Sequence, residues 1–261
     1  MRIVIITGAT SGIGLAMAEL FAGKGDAVYC LARREAPIPE GARFIPCDVT
    51  DEDAAKAAVN EVLSREGRID LLINNAGFGI SGAVEFTDAA DAKRQFDVNF
   101  FGMVNMTKAA LPAMRKAGGG RVINLSSVAA VAPIPYQTYY SASKAAINCF
   151  TMALANEVRA HNVKVSALMP GDVKTGFTAA RKKSLAGAEE YPSLEKSVKR
   201  MEHDEQNGMP PAALAKKAYR ISKKAHPKPL YSCGLSYELV CVLIKLLPSR
   251  FANWVLGKLY G

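Results

Sequence analysis

Histidine and tryptophan are scarce in this chain, with three His and one Trp among 261 residues. His161, His203 and His226 stand apart from one another, without the close ligand spacing of a metal centre, so no metal is expected. The five cysteines, Cys30, Cys47, Cys149, Cys233 and Cys241, are scattered, odd in number and free of any CxxC. That argues against a disulfide framework and a zinc site and for free thiols in a reducing compartment. Long apolar runs are missing too: the stretch 239–244 falls far short of the ~18 residues of a membrane span, and Lys245 closes it. The first residues lead directly into a β-branched run and a glycine, without a targeting segment, so a cytoplasmic location is expected. No internal repeat or low-complexity tract is present.

Charge of one sign is confined to one end. Residues 1–173 hold 17 Lys+Arg against 17 Asp+Glu, whereas 174–261 hold 16 against 7, so the net +9 belongs to the last third. The basic residues are not interleaved with stacking aromatics, which argues against a nucleic-acid partner. Basic residues among apolar helices suit an anionic membrane surface or an acidic substrate, so a peripheral membrane contact through 236–261 is one expectation.

With 49% hydrophobic residues, the chain can bury one large core, and a single domain is expected. Consecutive β-branched residues predict a buried strand at 2–6, and further strands are read at 27–31, 43–46, 69–73, 121–125 and 163–169. Helical patterns lie between them at 15–24, 51–65, 88–114 and 139–159. This alternation predicts an α/β fold with a doubly wound parallel sheet, whose ligands bind at the carboxyl ends of the strands. Past Thr175 the pattern loosens: 176–208 shows no strong apolar period and is read as a mobile lid, followed by helices at 210–224, 237–247 and 250–260 and a short strand at 229–232.

Several motifs fall at those strand ends. Gly8, Thr10, Ser11, Gly12, Ile13 and Gly14 form a glycine turn between strand and helix, suited to holding a pyrophosphate at the helix N-terminus. Its spacing is GxxxGxG rather than GxGxxG. The second strand ends at Ala32-Arg33-Arg34, with arginines where an NAD site usually has a carboxylate, which points to the 2′-phosphate of NADP(H). Asp48, followed by Val49, is a candidate partner for an adenine amine, and Asn75-Ala76-Gly77 follows the fourth strand. Asn99 interrupts a helical pattern, where asparagine caps, kinks or serves a site. Of Ser126 and Ser127, strand alternation lets only one face the cleft. Tyr140 and Lys144 share a helix face, and an ammonium there would lower a phenol pKa from its usual ~10.

Together, Thr7-x-x-x-x-Gly12-x-Gly14, Asn74-Asn75-Ala76-Gly77, Asn99, Ser127, Tyr140-x-x-x-Lys144 and Pro170-Gly171 resemble the short-chain dehydrogenase/reductase family across roughly 2–175. The resemblance implies a Rossmann fold and NADP(H)-dependent hydride exchange between a carbonyl and an alcohol. It also implies a catalytic tetrad of Asn99, Ser127, Tyr140 and Lys144, the family's spacing selecting Ser127 over Ser126 and Tyr140 over Tyr139. By the same analogy Asn99 orders a water, Lys144 holds the nicotinamide ribose, and the Pro170, Gly171, Val173 and Thr175 segment meets the carboxamide. A homodimer or homotetramer is implied as well. The C-terminal part is loosely similar to members acting on retinoids, steroids or long acyl chains, implying a small apolar substrate. Phe78, Ile80, Val131, Ile134, Tyr136 and Phe177 are candidates for an apolar pocket mouth. The rival reading is an NADPH-binding sensor or scaffold without turnover.

Overall fold

Ile3–Thr7 is buried at every position, as a run of β-branched residues covered on both faces should be, and forms the strand β1. The computed structural model describes residues 1–260, so the last residue of the expected 236–261 extension lies outside them. From β1 the chain continues through α1 (Gly12–Ala22), β2 (Ala27–Ala32), β3 (Arg43–Pro46), α2 (Glu52–Glu66) and β4 (Leu71–Asn74). Next come β5 (Ile80–Ser81), α3 (Ala89–Phe96), a π-helical turn (Asp97–Phe101), α4 (Gly102–Lys116), β6 (Gly120–Leu125), α5 (Thr138–Glu157) and β7 (Val163–Pro170). The last part comprises α6 (Phe177–Ala180), β8 (Lys182–Lys183), α7 (Leu194–Gln206), α8 (Pro211–Lys223), β9 (Leu230–Cys233), α9 (Leu235–Leu246) and α10 (Ser249–Tyr260).

The main sheet runs β3-β2-β1-β4-β6-β7-β9, with every pair parallel. Strand order reverses between β1 and β4, which opens a crevice at their carboxyl ends. One face packs on α1 and α8 through Met17, Phe21, Leu214 and Ile221. The other packs on α2, α4 and α5 through Val59, Met106, Met114 and Leu154. This is the expected doubly wound, Rossmann-type architecture.

Three features differ from the sequence reading. The helix expected at 88–114 is broken by the π turn that contains Asn99. The stretch 176–208, expected to lack an apolar period, holds α7, whose Leu194, Val198 and Met201 recur at i, i+4 and i+7 and are buried with Ile134 and Tyr136. Finally, β5 and β8 form a separate parallel pair, joining Ile80–Ser81 to Lys182–Lys183.

Candidate active site

The carboxyl ends of β1, β4, β6 and β7 and the start of α5 surround a cavity of about 530 Å³. Tyr140 projects into it from the first turn of α5, with its ring centroid 5.8 Å from that of Phe177. One turn on, the buried Lys144 donates to the Leu125 carbonyl at 2.8 Å, its ammonium 5.7 Å from the Tyr140 ring centroid. The two serines after β6 separate as strand alternation requires. Ser126 donates to the Lys144 carbonyl at 3.0 Å, whereas the Ser127 hydroxyl lies within hydrogen-bonding reach of the Tyr140 phenol. Ser127 Oγ also accepts from the Ala129 amide at 3.1 Å, which caps a short turn.

Asn99 does not line the cavity directly. Its Oδ1 accepts from the Phe78 amide at 3.0 Å, and its Nδ2 donates to the Phe78 carbonyl at 3.0 Å and to Ser143 Oγ at 3.2 Å. The π turn widens the helix at this point, turning the asparagine amide onto the backbone that follows β4.

Electrostatics at the phenol differ from expectation. Burial pushes Tyr140 up to about 12; the Ser127 hydrogen bond and Arg181 pull it down, while Glu205 and Asp172 add to the rise. Burial also brings Lys144 down to about 8. The lowering of the phenol expected from the neighbouring ammonium does not occur: burial, which disfavours both charged forms, is the largest influence on each group.

The residues expected to hold a nicotinamide nucleotide fit that group. Gly8 and Gly12 adopt φ of +63° and +53°, and a Cβ on Gly14 would stand 2.2 Å from the Gly8 carbonyl oxygen, so the turn needs glycine to approach this closely. Ser11 precedes α1 without a side-chain cap, leaving the first-turn N–H groups to an anion. Ser11, Gly12 and Ile13 line the cavity, as do Asn75, Ala76 and Gly77. The Thr7 hydroxyl accepts from the Asn75 and Ala76 amides at 2.9 and 3.0 Å, which ties β1 to β4. Pro170, Gly171, Val173 and Thr175 form the opposite wall. Val173 bridges to Met209 through the bonds of its neighbours, so its own N–H and C=O take no part in that bridge. Gly14 packs closely on Gly8 and Asn75, and neither it nor Thr10 lines the cavity.

Arg33, Arg34, Asp48 and Val49 lie outside the cavity, around the ends of β2 and β3. Both arginines are exposed. Burial raises the Asp48 carboxyl, but the bonds it accepts from the Thr50 amide and hydroxyl, helped by Arg33 and Arg94, leave it lowered overall. Val49 is buried against Gly102. Of the six candidates for an apolar mouth, Phe78, Ile134 and Phe177 line the cavity. The other three do not: Ile80 is buried in β5, Val131 packs among Val128 and Met169, and Tyr136 holds Ser193 at 2.6 Å.

Sequence reasoning missed a polar group in the same wall. Asp172 and Glu205 both reach the cavity. Glu205 pairs with the buried Arg181 and accepts from Thr178 at 2.6 Å, and Asp172 accepts from the Tyr237 hydroxyl at 2.5 Å. Asp172 follows the Pro170-Gly171 motif directly, a signal that was available; the Arg181–Glu205 pair spans separate elements and left none.

A family model described as short chain dehydrogenase matches residues 2–186. A 3-ketodihydrosphingosine reductase from Bacteroides thetaiotaomicron is 42% identical over 264 residues, covering 100% of this chain and 98% of that protein. The short-chain type dehydrogenase/reductase VdlC of Helicobacter pylori is 31% identical, covering 95% of this chain and 93% of its own length. Among solved structures, a short-chain dehydrogenase from Streptomyces avermitilis superposes with a TM-score of 0.85 at 31% identity, over 99% of this chain and 96% of the other. The chain belongs to the short-chain dehydrogenase/reductase family, and is an oxidoreductase that uses a nicotinamide cofactor.

Proposed function

We propose that this protein uses NADPH to reduce a long-chain, amphiphilic ketone, with a sphingoid 3-ketone, the type of compound named in its 42% identical relative, as the substrate to try first. The observation that carries the reading is the cavity itself: the Tyr140 phenol and the Ser127 hydroxyl both line it, and Phe78, Ile134, Phe177, Val240 and Leu256 supply apolar walls. A sphingoid 3-ketone bears an amine on the carbon beside its carbonyl. Asp172 and Glu205, which act on the phenol through their charge, would offer an ammonium there anionic partners that a simple alkyl ketone would not use.

The nicotinamide, when bound, supplies the hydride. The chain supplies the rest. Tyr140 holds a proton for the carbonyl oxygen, and Ser127 donates a hydrogen bond to the same atom. Lys144, anchored on Leu125, keeps a positive charge beside the phenol at neutral pH. Asn99 fixes the Phe78 backbone that flanks them. Arg33 and Arg34, exposed at the end of β2, support the choice of NADPH over NADH, because a guanidinium there pairs with a 2′-phosphate.

The test is nicotinamide oxidation by the purified protein with synthetic 3-ketodihydrosphingosine in mild detergent, with the product identified by mass spectrometry. Stoichiometric conversion of NADPH and ketone to alcohol is the expected result. Tight NADPH binding without oxidation across a panel of long-chain ketones would overturn the proposal and favour a cofactor-binding sensor.

A further inference from the structure

Helices α9 and α10 each have two working faces. Inward, Tyr237, Val240, Leu256, Leu259 and Tyr260 line the catalytic cavity. Outward, α9 exposes Leu235, Leu239, Val242, Leu243 and Leu246, which recur at i, i+4, i+7, i+8 and i+11 and so form one stripe. On α10, Phe251 and Trp254 are exposed and stacked, with ring centroids 5.9 Å apart. Leu246 is 76% exposed and Trp254 58%. Isolated surface leucines are ordinary, but large apolar side chains gathered on two consecutive helices mark a surface that meets something.

Charge identifies what it meets. Along α9 and α10 the cations Lys245, Arg250 and Lys258 are exposed, and among the described residues none of them forms an ion pair. The single carboxylate of these helices, Glu238, is held by Lys217 at 2.8 Å. A two-fold contact with a second copy would repeat the same patch on both sides and bring these cations toward one another. A bilayer carrying anionic headgroups does the opposite: it accepts the apolar stripe at the level of the acyl boundary while the long basic side chains reach the phosphates.

We propose that the outward face of α9 and α10 docks on the surface of an anionic lipid bilayer. Each helix is 12 residues long, and no helix among the described residues is long and apolar enough to cross a membrane, so the pair lies in the interface. Leu259 is both 44% exposed and part of the cavity lining. Docking therefore sets the cavity wall against lipid, the phase into which the amphiphilic ketone of the proposed reaction would partition.

The chain carries its own reporter, because its one tryptophan is Trp254. The full-length protein is mixed with vesicles of phosphatidylcholine alone or with added phosphatidylglycerol. On the phosphatidylglycerol vesicles, Trp254 emission is expected to shift to the blue, to be quenched by acyl-brominated lipid and to revert at high salt, with co-flotation of the protein. Two variants separate the contributions: Leu239→Glu with Val242→Glu, and Lys245→Glu with Arg250→Glu and Lys258→Glu. All five positions are exposed, and unchanged thermal unfolding and NADPH binding verify that each variant is folded. The charge variant should lose about 100-fold or more of its vesicle partitioning. An unchanged emission spectrum on phosphatidylglycerol vesicles overturns the proposal, as does equal partitioning by both variants and the parent. So does a blue shift that grows with protein concentration in the absence of vesicles, which would make a second copy the occupant. None of these readings involves turnover, so they stand or fall separately from the proposed reaction.

Discussion

A phenol held near 12 carries its proton throughout the neutral range, which suits it to deliver that proton to a carbonyl oxygen. Replacing Tyr140 by Phe removes the proton and little else. The turnover number should fall by a factor of about 10² to 10⁴ while the NADPH dissociation constant, measured by fluorescence titration, stays within about twofold. Lys144 gives a stability signature with a definite sign. Its folded value of about 8 lies below the ordinary 10.5, so between those limits the unfolded chain binds the extra proton and wild-type stability rises with pH. Tyr140 opposes this only higher, between its ordinary 10.0 and about 12, where the folded state keeps the proton. Urea melts of wild type and Lys144→Met at intervals across the lower window should show the wild type gaining on the variant; parallel curves would contradict the buried lysine. At the far end of the cleft, Arg33→Asp should weaken NADPH by about 10- to 100-fold and NADH far less, as the loss of a charge-assisted phosphate contact requires. Equal losses for both cofactors would remove Arg33 from the 2′-phosphate.

At the scale of elements, the π turn Asp97–Phe101 joins sequence to site. Asn99→Ala leaves the Phe78 amide without its partner, at a cost of about 1–3 kcal/mol, and leaves the Phe78 carbonyl to Gln95 alone. The variant should unfold at lower urea and turn over more slowly, with the loss read in turnover number rather than in cofactor binding. This turn was not legible in the sequence. The pattern of 88–114 reads as helix throughout, and the widening depends on bonds to a residue 21 positions away. By contrast, the parts of the site with local signatures were legible. Tyr140 and Lys144 share a face by helical period, and the glycines of the first turn stand where backbone must pass close to backbone. The buried stripe of α7 was present but obscured: Leu194, Val198 and Met201 are the only large apolar residues in LEKSVKRMEHDEQ, so composition outweighed spacing. The β5–β8 pair and the Arg181–Glu205 contact left no readable sign, since each joins segments distant in the chain.

Across the whole molecule, the sheet assembles the candidate site and two later segments cover it. The carboxyl ends of β1, β4, β6 and β7 bring the glycine turn, Gly77, Ser127 and Pro170 together, as strand order at a switch point dictates. Phe177, Met201 and Glu205 from the α6–α7 segment then meet Tyr237, Val240 and Leu256 from α9 and α10 around the same cavity. The two coverings touch through Tyr260, whose hydroxyl donates to Asp204 at 3.4 Å and whose ring centroid lies 5.2 Å from the Arg200 guanidinium. These contacts are part-buried and few, so they belong to the less stable end of the structure, and opening them leaves the sheet intact. Tyr260→Ala should therefore unfold at nearly the parental temperature yet show faster amide exchange in 194–206 and 249–260. Its KM for a long-chain ketone should rise by about 10-fold or more through lost apolar cover, while kcat/KM for a short soluble ketone that reaches only Tyr140 stays within about twofold. Equal losses on both ketones would mean that Tyr260 holds the catalytic groups themselves, and that the covering segments and the reacting centre are one mechanical unit.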